Sequence, residues 1–329
     1  MPRERKEGMH RDSWVTYRPS IKVLDCTIRD GGLMNNHRFD LDFVRACYRA
    51  CCAAGVDYME LGYKADKALY SVNEYGPWKF CDEDDLRRVI GDEPPPIKLS
   101  AMADVGRTDY RRDILPKEQS VLDCIRVACY IHQIPAAIDM INDAASKGYE
   151  TTLNLMALST VSESELRTAL AEVVENTPVN VLYVVDSFGS LYSEQIRDYV
   201  KLFLRYAGEN RDVGIHAHNN MQLAYANTIE AIIAGANRLD VTIHGLGRGA
   251  GNCPTELLLM FLKNPKFKVR PVLECIERYF FELQRSIPWG YSIPYAITGA
   301  LNQHPRDAIA WMEGDRPNAI VEFYDRMLE

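Results

Sequence analysis

Short apolar, β-branched runs recur along the chain at Ile21–Cys26, Val56–Leu61, Ile97–Met102, Cys124–Ile131, Thr151–Met156, Asn180–Asp186, Asp212–His216 and Arg238–His244. Between most of them lie stretches with the 3.6-residue period of an amphipathic helix. Leu41–Ala54 puts Phe43, Val44, Cys47 and Cys51 on one face and ends at Gly55, suited to a left-handed C-cap. Ser162–Asn176 opens with Ser162 and carries Glu165 three residues on, a capping-box pattern. Ser193–Tyr206 and Leu223–Ala234 share the periodicity, and Gly235 follows the second. Strands alternating with helices at this spacing predict a parallel sheet. Eight strand runs favour an α/β fold of the closed (β/α)8 barrel kind over an open doubly wound sheet.

The barrel is predicted to span residues 21–263. Residues 1–20 read as a flexible polar arm. Residues 264–329 carry no strand signal and are rich in aromatics, including Tyr279, Phe280, Trp289, Tyr291, Tyr295 and Trp311, so they predict a helical extension packed on the barrel. Composition adds exclusions. The chain has 329 residues, 47% of them hydrophobic, and a net charge of −8. That charge argues against nucleic acid as a partner. No apolar run is long enough to span a membrane. The first twenty residues lack the apolar stretch of a secretory signal. Nine cysteines, an odd number without CxxC pairs, read as reduced thiols of a cytoplasmic protein.

In such a barrel the chemistry gathers where strands end. The seventh run ends in His216-Ala217-His218, two imidazoles at i and i+2 on one face of a strand. Asp30 stands at the exit of the first run, before Gly31 and Gly32. Two histidines and one carboxylate leave coordination positions open on a divalent ion. Arg29 beside Asp30 is a permanent cation suited to an oxyanion. Glu60 ends the second run, as an acid/base or a partner of Arg29. His37 is a general acid/base candidate. Asp186 and His244 also end strand runs, and His132 and His304 read as bland. Asp25 and Thr27 read as structural. The glycine-rich stretch Gly245–Asn252 permits close backbone approach to a ligand.

The segment Asp25-Cys26-Thr27-Ile28-Arg29-Asp30-Gly31-Gly32 resembles the D-x-T-[LI]-R-D-G signature of the DRE-TIM metallolyase superfamily. The stretch His216–Leu257 is similar to the 4-hydroxy-2-oxovalerate aldolases within it: His-x-His-Asn-Asn, then Ala226-Asn227, then Gly-x-Gly-Arg-Gly-Ala-Gly-Asn with Pro254 and Glu256. The resemblance implies that Asp30, His216 and His218 bind a divalent metal, manganese first, with magnesium or zinc as alternatives. It implies that Asn252 is a ligand or a neighbour of one, that Arg29 stabilises an enolate, and that Tyr291 or Tyr295 lines the substrate pocket. It further implies a small-molecule 2-oxo acid substrate, a homodimer and a channelling dehydrogenase partner. One position departs: the aldolase histidine three residues after the motif aspartate is Leu33 here. The expected reaction is a retro-aldol on a 4-hydroxy-2-oxo acid through a pyruvate enolate, with His37, Glu60, Tyr291 and Tyr295 as acid/base candidates. The rivals are a Claisen-type synthase using an acyl-CoA and a non-catalytic assembly subunit that keeps the fold.

Overall fold

The computed structural model describes residues 15–91 and 94–329. Eight parallel strands close into a barrel: β1 Lys22–Asp25, β2 Tyr58–Tyr63, β3 Lys98–Asp104, β4 Cys124–Cys129, β5 Glu150–Leu155, β6 Val181–Asp186, β7 Asp212–Ala217 and β8 Arg238–Val241. Closure is made by β1 against β8, in register from Lys22 opposite Arg238 to Asp25 opposite Val241. All eight predicted runs contain a strand, with ends displaced by a few residues. The eighth is the most shortened, because the backbone turns into the left-handed region at His244, φ 55°.

Alternation along the strands separates two environments. Val23, Met59, Leu99, Ile125, Leu153, Leu182, Ile215 and Leu239 belong to the large apolar layer between sheet and helices. That layer includes Val44 and Cys47 of the helix Leu41–Ala54, Leu170 of Glu163–Asn176, and Phe203 of Ser193–Ala207. The alternate residues face the barrel axis and are largely polar: Glu60, Arg126, Asn154, Tyr183, His216 and Asp240. A second polar layer lies nearer the strand starts, where Arg238 pairs with Glu150 at 2.8 Å and Asp212 at 2.7 Å. The apolar outer layer thus holds the helices, while the interior stores charge.

The expected caps form. Ser162 and Glu165 make the reciprocal capping box, and Gly55 and Gly235 end their helices with φ of 75° and 119°. Residues 1–14 of the expected arm lie outside the described residues. The residues that follow are tied down: Thr16 accepts from the Lys263 N–H at 2.6 Å, and Arg18 donates to the Ile232 carbonyl at 2.8 Å. Beyond the barrel the chain is helical. Arg270–Cys275 runs through a π-helical turn, Ile276–Phe280, into Phe281–Ser286. Ile293–Ala300, Arg306–Met312 and Ile320–Leu328 then pack around Tyr295, Ala308 and Phe323. No helix among the described residues is long and apolar enough to cross a membrane. All nine cysteines are free.

Candidate active site and metal centre

β1 leads into a single helical turn, Thr27–Gly31, that carries Arg29 and Asp30 over the barrel mouth. Asp25 anchors that turn by accepting from the Thr27 N–H and the Thr255 hydroxyl, each at 3.0 Å. The Thr27 hydroxyl accepts from the Ile243 N–H at 2.8 Å, so the β1 and β8 loops are tied together. His216 lies on β7 and His218 just past its end. Donor atoms of Asp30, His216 and His218 all fall within 4.8 Å of one another, and all three residues are buried.

The loop after β8 closes the group. Asn252 bridges His218 and donates its side-chain amide to Asp30 Oδ2. A Cβ at Gly247 would stand 2.4 Å from the Asn252 amide and 2.7 Å from Asp30 Oδ2, so only glycine fits this approach. Within the group formed by Asp30, His216, His218 and Asn252, two buried acceptors have no protein partner, His216 Nε2 and Asn252 Oδ1. Unpartnered buried polar atoms are costly unless a ligand takes them up. Both belong to the cluster of imidazole and oxygen donors that suits a divalent cation, so these residues fit the metal that the resemblance implies.

Each imidazole is fixed through its other nitrogen, as metal-binding histidines usually are. His218 Nδ1 meets the Asp186 carbonyl at 2.9 Å, and His216 Nδ1 meets Asp240 Oδ2 at 3.0 Å. From Asp240 a buried ring of opposite charges runs round the interior. Asp240 pairs with Arg126, Arg126 with Glu60 at 2.9 Å, Glu60 with Arg29 at 2.7 Å, and Arg29 with Asp30 at 2.7 Å. The ring begins and ends on metal-site residues. Cys26, His216 and Asp240 form a second close group, but Asp240 is already engaged by Arg126 and His216.

The ring sets the charge states. Burial raises the Asp30 pKa, yet Arg29 and the two histidines outweigh it and hold the carboxyl well below the usual range. Burial pushes His218 down to about 3, leaving it neutral for coordination. Burial works against the Arg126 charge, but Asp240 and Glu60 more than restore it.

A cavity of about 430 Å³ opens above the cluster. Arg29, Asp30, His216 and His218 line it together. The acid/base candidates lie elsewhere. Glu60 is fully buried behind Arg29, and its Oε2 accepts from both guanidinium groups. His37 sits beneath the mouth, its ring against Tyr63 at 5.3 Å and its Nδ1 where a Cβ on Gly32 would be only 2.1 Å away. Burial, then Lys79 and Arg29, lower its pKa to about 3. Tyr295 is buried in the C-terminal helical cluster under Gly249, and Tyr291 is 65% exposed on the turn after Gly290. Neither tyrosine lines the cavity, because the helix that starts at Ile293 faces its own cluster.

The Asp186 carboxylate serves the loop after β6, accepting from the Ser190 and Leu191 N–H groups. His244 turns away into Phe280, Phe281 and Trp289. Other residues do line the cavity: Tyr63, Lys79, Asp104, Arg107 and Asn154 from the strand ends and loops, Arg248 from the glycine-rich loop, and His304 and Arg306 from the extension. Tyr63 follows Glu60 on β2, so extending that run by one turn of the pleat would have found it. His304 had no local signal, since its position depends on how the extension folds back.

The HMGL-like family model matches residues 129–277. An oxaloacetate decarboxylase of Mycobacterium tuberculosis is 33% identical over 253 residues, covering 76% of this chain and 71% of its own. A 4-hydroxy-2-oxovalerate aldolase of Thermus thermophilus is 31% identical over 271 residues, 80% of this chain and 76% of its own. An N-terminal domain from Bacteroides vulgatus superposes with a TM-score of 0.76 and 27% identity, covering 92% of this chain and 99% of that one. Lyases make up the matched family, and both the signature at Asp25–Gly32 and the eight-stranded barrel agree with it. The chain therefore belongs to the HMGL-like family of DRE-TIM lyases.

Proposed function

We propose that the protein is a divalent-metal-dependent aldolase that cleaves a 4-hydroxy-2-oxo acid into pyruvate and an aldehyde. The observation that carries this reading is the buried Asp30–His216–His218 cluster with the Arg29 guanidinium beside it at the cavity floor. A divalent ion held by these three residues, with Asn252 beside them, supplies Lewis-acid polarisation of the 2-oxo group. Arg29 stabilises the oxyanion that develops on the same oxygen when the C3–C4 bond breaks and its electron pair moves into the enolate. Glu60 holds Arg29 in that position and keeps its charge. The 4-hydroxyl proton must pass to a group in the same cavity. Tyr63 is a buried hydroxyl there; burial keeps its phenol protonated, the Arg29 charge opposing this in part, and His37 supports its ring. We assign to it the relay of that proton, the phenol accepting it while passing its own on to solvent in the cavity, in place of His37, Glu60, Tyr291 and Tyr295. The relative named as an oxaloacetate decarboxylase fits the same logic, since loss of carbon dioxide from oxaloacetate leaves the same enolate.

The same reading carries manganese as the ion, a homodimer, a cytoplasmic location, a dehydrogenase that takes up the aldehyde, and domain limits at 20/21 and 263/264. The test is turnover of 4-hydroxy-2-oxovalerate by protein stripped with chelator and reloaded with manganese. Pyruvate release that requires the ion is the expected result. No pyruvate from any short 4-hydroxy-2-oxo acid, together with thiol release from an acyl-CoA and a 2-oxo acid, would give the site to the Claisen reading.

A further inference from the structure

The cavity is far more positive than the protein that contains it. The chain carries a net charge of −8, yet five cations line this cavity, Arg29, Lys79, Arg107, Arg248 and Arg306, against two carboxylates, Asp30 and Asp104. Arg29 is balanced by Asp30 and Glu60. Among the described residues, none of the other four has a carboxylate within ion-pair distance. Lys79 is the most informative. It is only 6% exposed, and its ammonium lies over the rings of Tyr63, Tyr70 and Tyr75 at 4.5, 4.3 and 5.6 Å. Three aromatic faces stabilise a cation without neutralising it. Its neighbour Arg107 reaches the cavity from the turn after β3, next to Tyr70. Burial presses most on the Lys79 ammonium; the Asp104 carboxylate relieves part of that and the Arg107 charge adds a smaller repulsion.

Two cations kept close together, one of them buried, are costly in an empty site and favourable around an anion. On the aldolase reading the metal side of the cavity would meet the needs of pyruvate: its keto oxygen would lie between the cluster and Arg29, and Arg248, close enough to act on His218, would be left for its carboxylate. Lys79 and Arg107 occupy the wall formed by β2, β3 and their loops, and a neutral alkyl aldehyde gives them nothing to bind.

Resting on the aldolase reading above, we propose that Lys79 and Arg107 bind a second anionic group, so that the substrate is a 4-hydroxy-2-oxo acid whose aldehyde half carries a carboxylate or a phosphate. With a carboxylate on C4, cleavage of the C3–C4 bond gives pyruvate and a 2-oxo-acetate aldehyde. The C3–C4 electron pair stays with C3, the proton leaves the C4 hydroxyl oxygen as it becomes the aldehyde carbonyl, and a solvent proton completes the pyruvate methyl. No oxidant or further reactant is needed.

The experiment runs the reaction in the condensation direction with the manganese-loaded full chain. Pyruvate is offered with acetaldehyde, glyoxylate or glyceraldehyde 3-phosphate, and kcat/KM is measured for each acceptor. In parallel, exchange of the pyruvate methyl protons in D2O reports the enolate step alone. Preference for glyoxylate or glyceraldehyde 3-phosphate over acetaldehyde by roughly tenfold or more, the scale of one charged hydrogen bond, supports the proposal. Which anion wins separates carboxylate from phosphate. In Lys79→Met and in the exposed Arg107→Gln, the ratio of anionic to neutral acceptor should fall by roughly tenfold. The ratio is insensitive to how much of each variant folds. Exchange with equal or better use of acetaldehyde overturns the second-anion site and leaves the aldolase reading standing. Loss of exchange in the unmodified enzyme overturns the aldolase reading itself.

Discussion

The two walls of the cavity handle charge in opposite ways. On the metal side, Asp30, Arg29, Asp240 and His216 from the β1, β7 and β8 ends are joined through Glu60 of β2 and Arg126 of β4 into one buried ring in which every member has a partner. On the wall made by the β2 and β3 loops and the C-terminal extension, Lys79, Arg107 and Arg306 face the cavity without carboxylate partners among the described residues. A fully paired ring is a rigid device. It holds ligands and a guanidinium in fixed positions and charge states before any substrate arrives. A wall without ion pairs is a selective device, since its cations keep their charge for what binds. On the proposals above, the enolate forms at the first wall, and the second, apart from Tyr63, chooses the substrate.

The comparison breaks most visibly at Arg126. It is fully buried and joins Glu60 to Asp240, so Arg126→Met leaves two buried carboxylates facing each other. Removing one partner of a buried ion pair costs about 3–5 kcal/mol. Denaturant unfolding should show that loss, and any folded fraction should bind manganese more weakly because Arg126 no longer fixes the Asp240 carboxylate that positions His216. Unchanged stability and affinity would mean the ring is incidental.

Arg29→Lys keeps the charge but loses the planar fork that spans Asp30 and Glu60. It should lower kcat by roughly 10²-fold, the scale of losing one oxyanion donor, with little change in KM or Tm. Near-normal kcat would remove Arg29 from the reaction.

A pH-dependent effect concerns His37, which links the two walls through the Tyr63 ring. Its pKa is lowered from 6.5 to about 3, so the unfolded chain takes up a proton between those values that the folded protein refuses. Its neutral form therefore contributes stability that is present above about pH 6.5 and lost as pH falls toward 3. Glutamine never titrates, so the unfolding free energy of the parent minus that of His37→Gln should fall with decreasing pH, by at most about 1.4 kcal/mol per pH unit. A difference that stays flat or rises on acidification contradicts the burial of a neutral imidazole.

The first wall was legible in the sequence because its residues are local to strand ends. Asp30 follows β1 by a few positions, and His216 and His218 share a strand face. Both facts survive small errors in strand limits. Barrel closure then brings β1 and β8 together and sets β7 beside β8. The second wall was not legible. Lys79 sits in a loop between β2 and the helix Glu83–Ile90, and nothing in its neighbourhood distinguishes it from a surface lysine. His304 and Arg306 reach the cavity only because the extension packs Ala308 and Phe323 against Tyr295 and Ala250. The same packing explains Tyr291 and Tyr295, which the family resemblance placed at the pocket while their side chains serve the surface and the helical cluster. Glu60 was visible as a strand-end carboxylate, but its partner Arg126 lies on another strand and has no sequence signature.

The central claim is that the paired wall generates an enolate from a 2-oxo acid. Its most direct test is proton NMR of pyruvate in D2O with the manganese-loaded enzyme, no aldehyde being present. The methyl protons should exchange for deuterium at a rate proportional to enzyme, and the exchange should stop with chelator and in Asp30→Ala that remains folded by circular dichroism. Metal-loaded, folded enzyme that leaves the methyl protons of pyruvate and other short 2-oxo acids unexchanged would contradict the account.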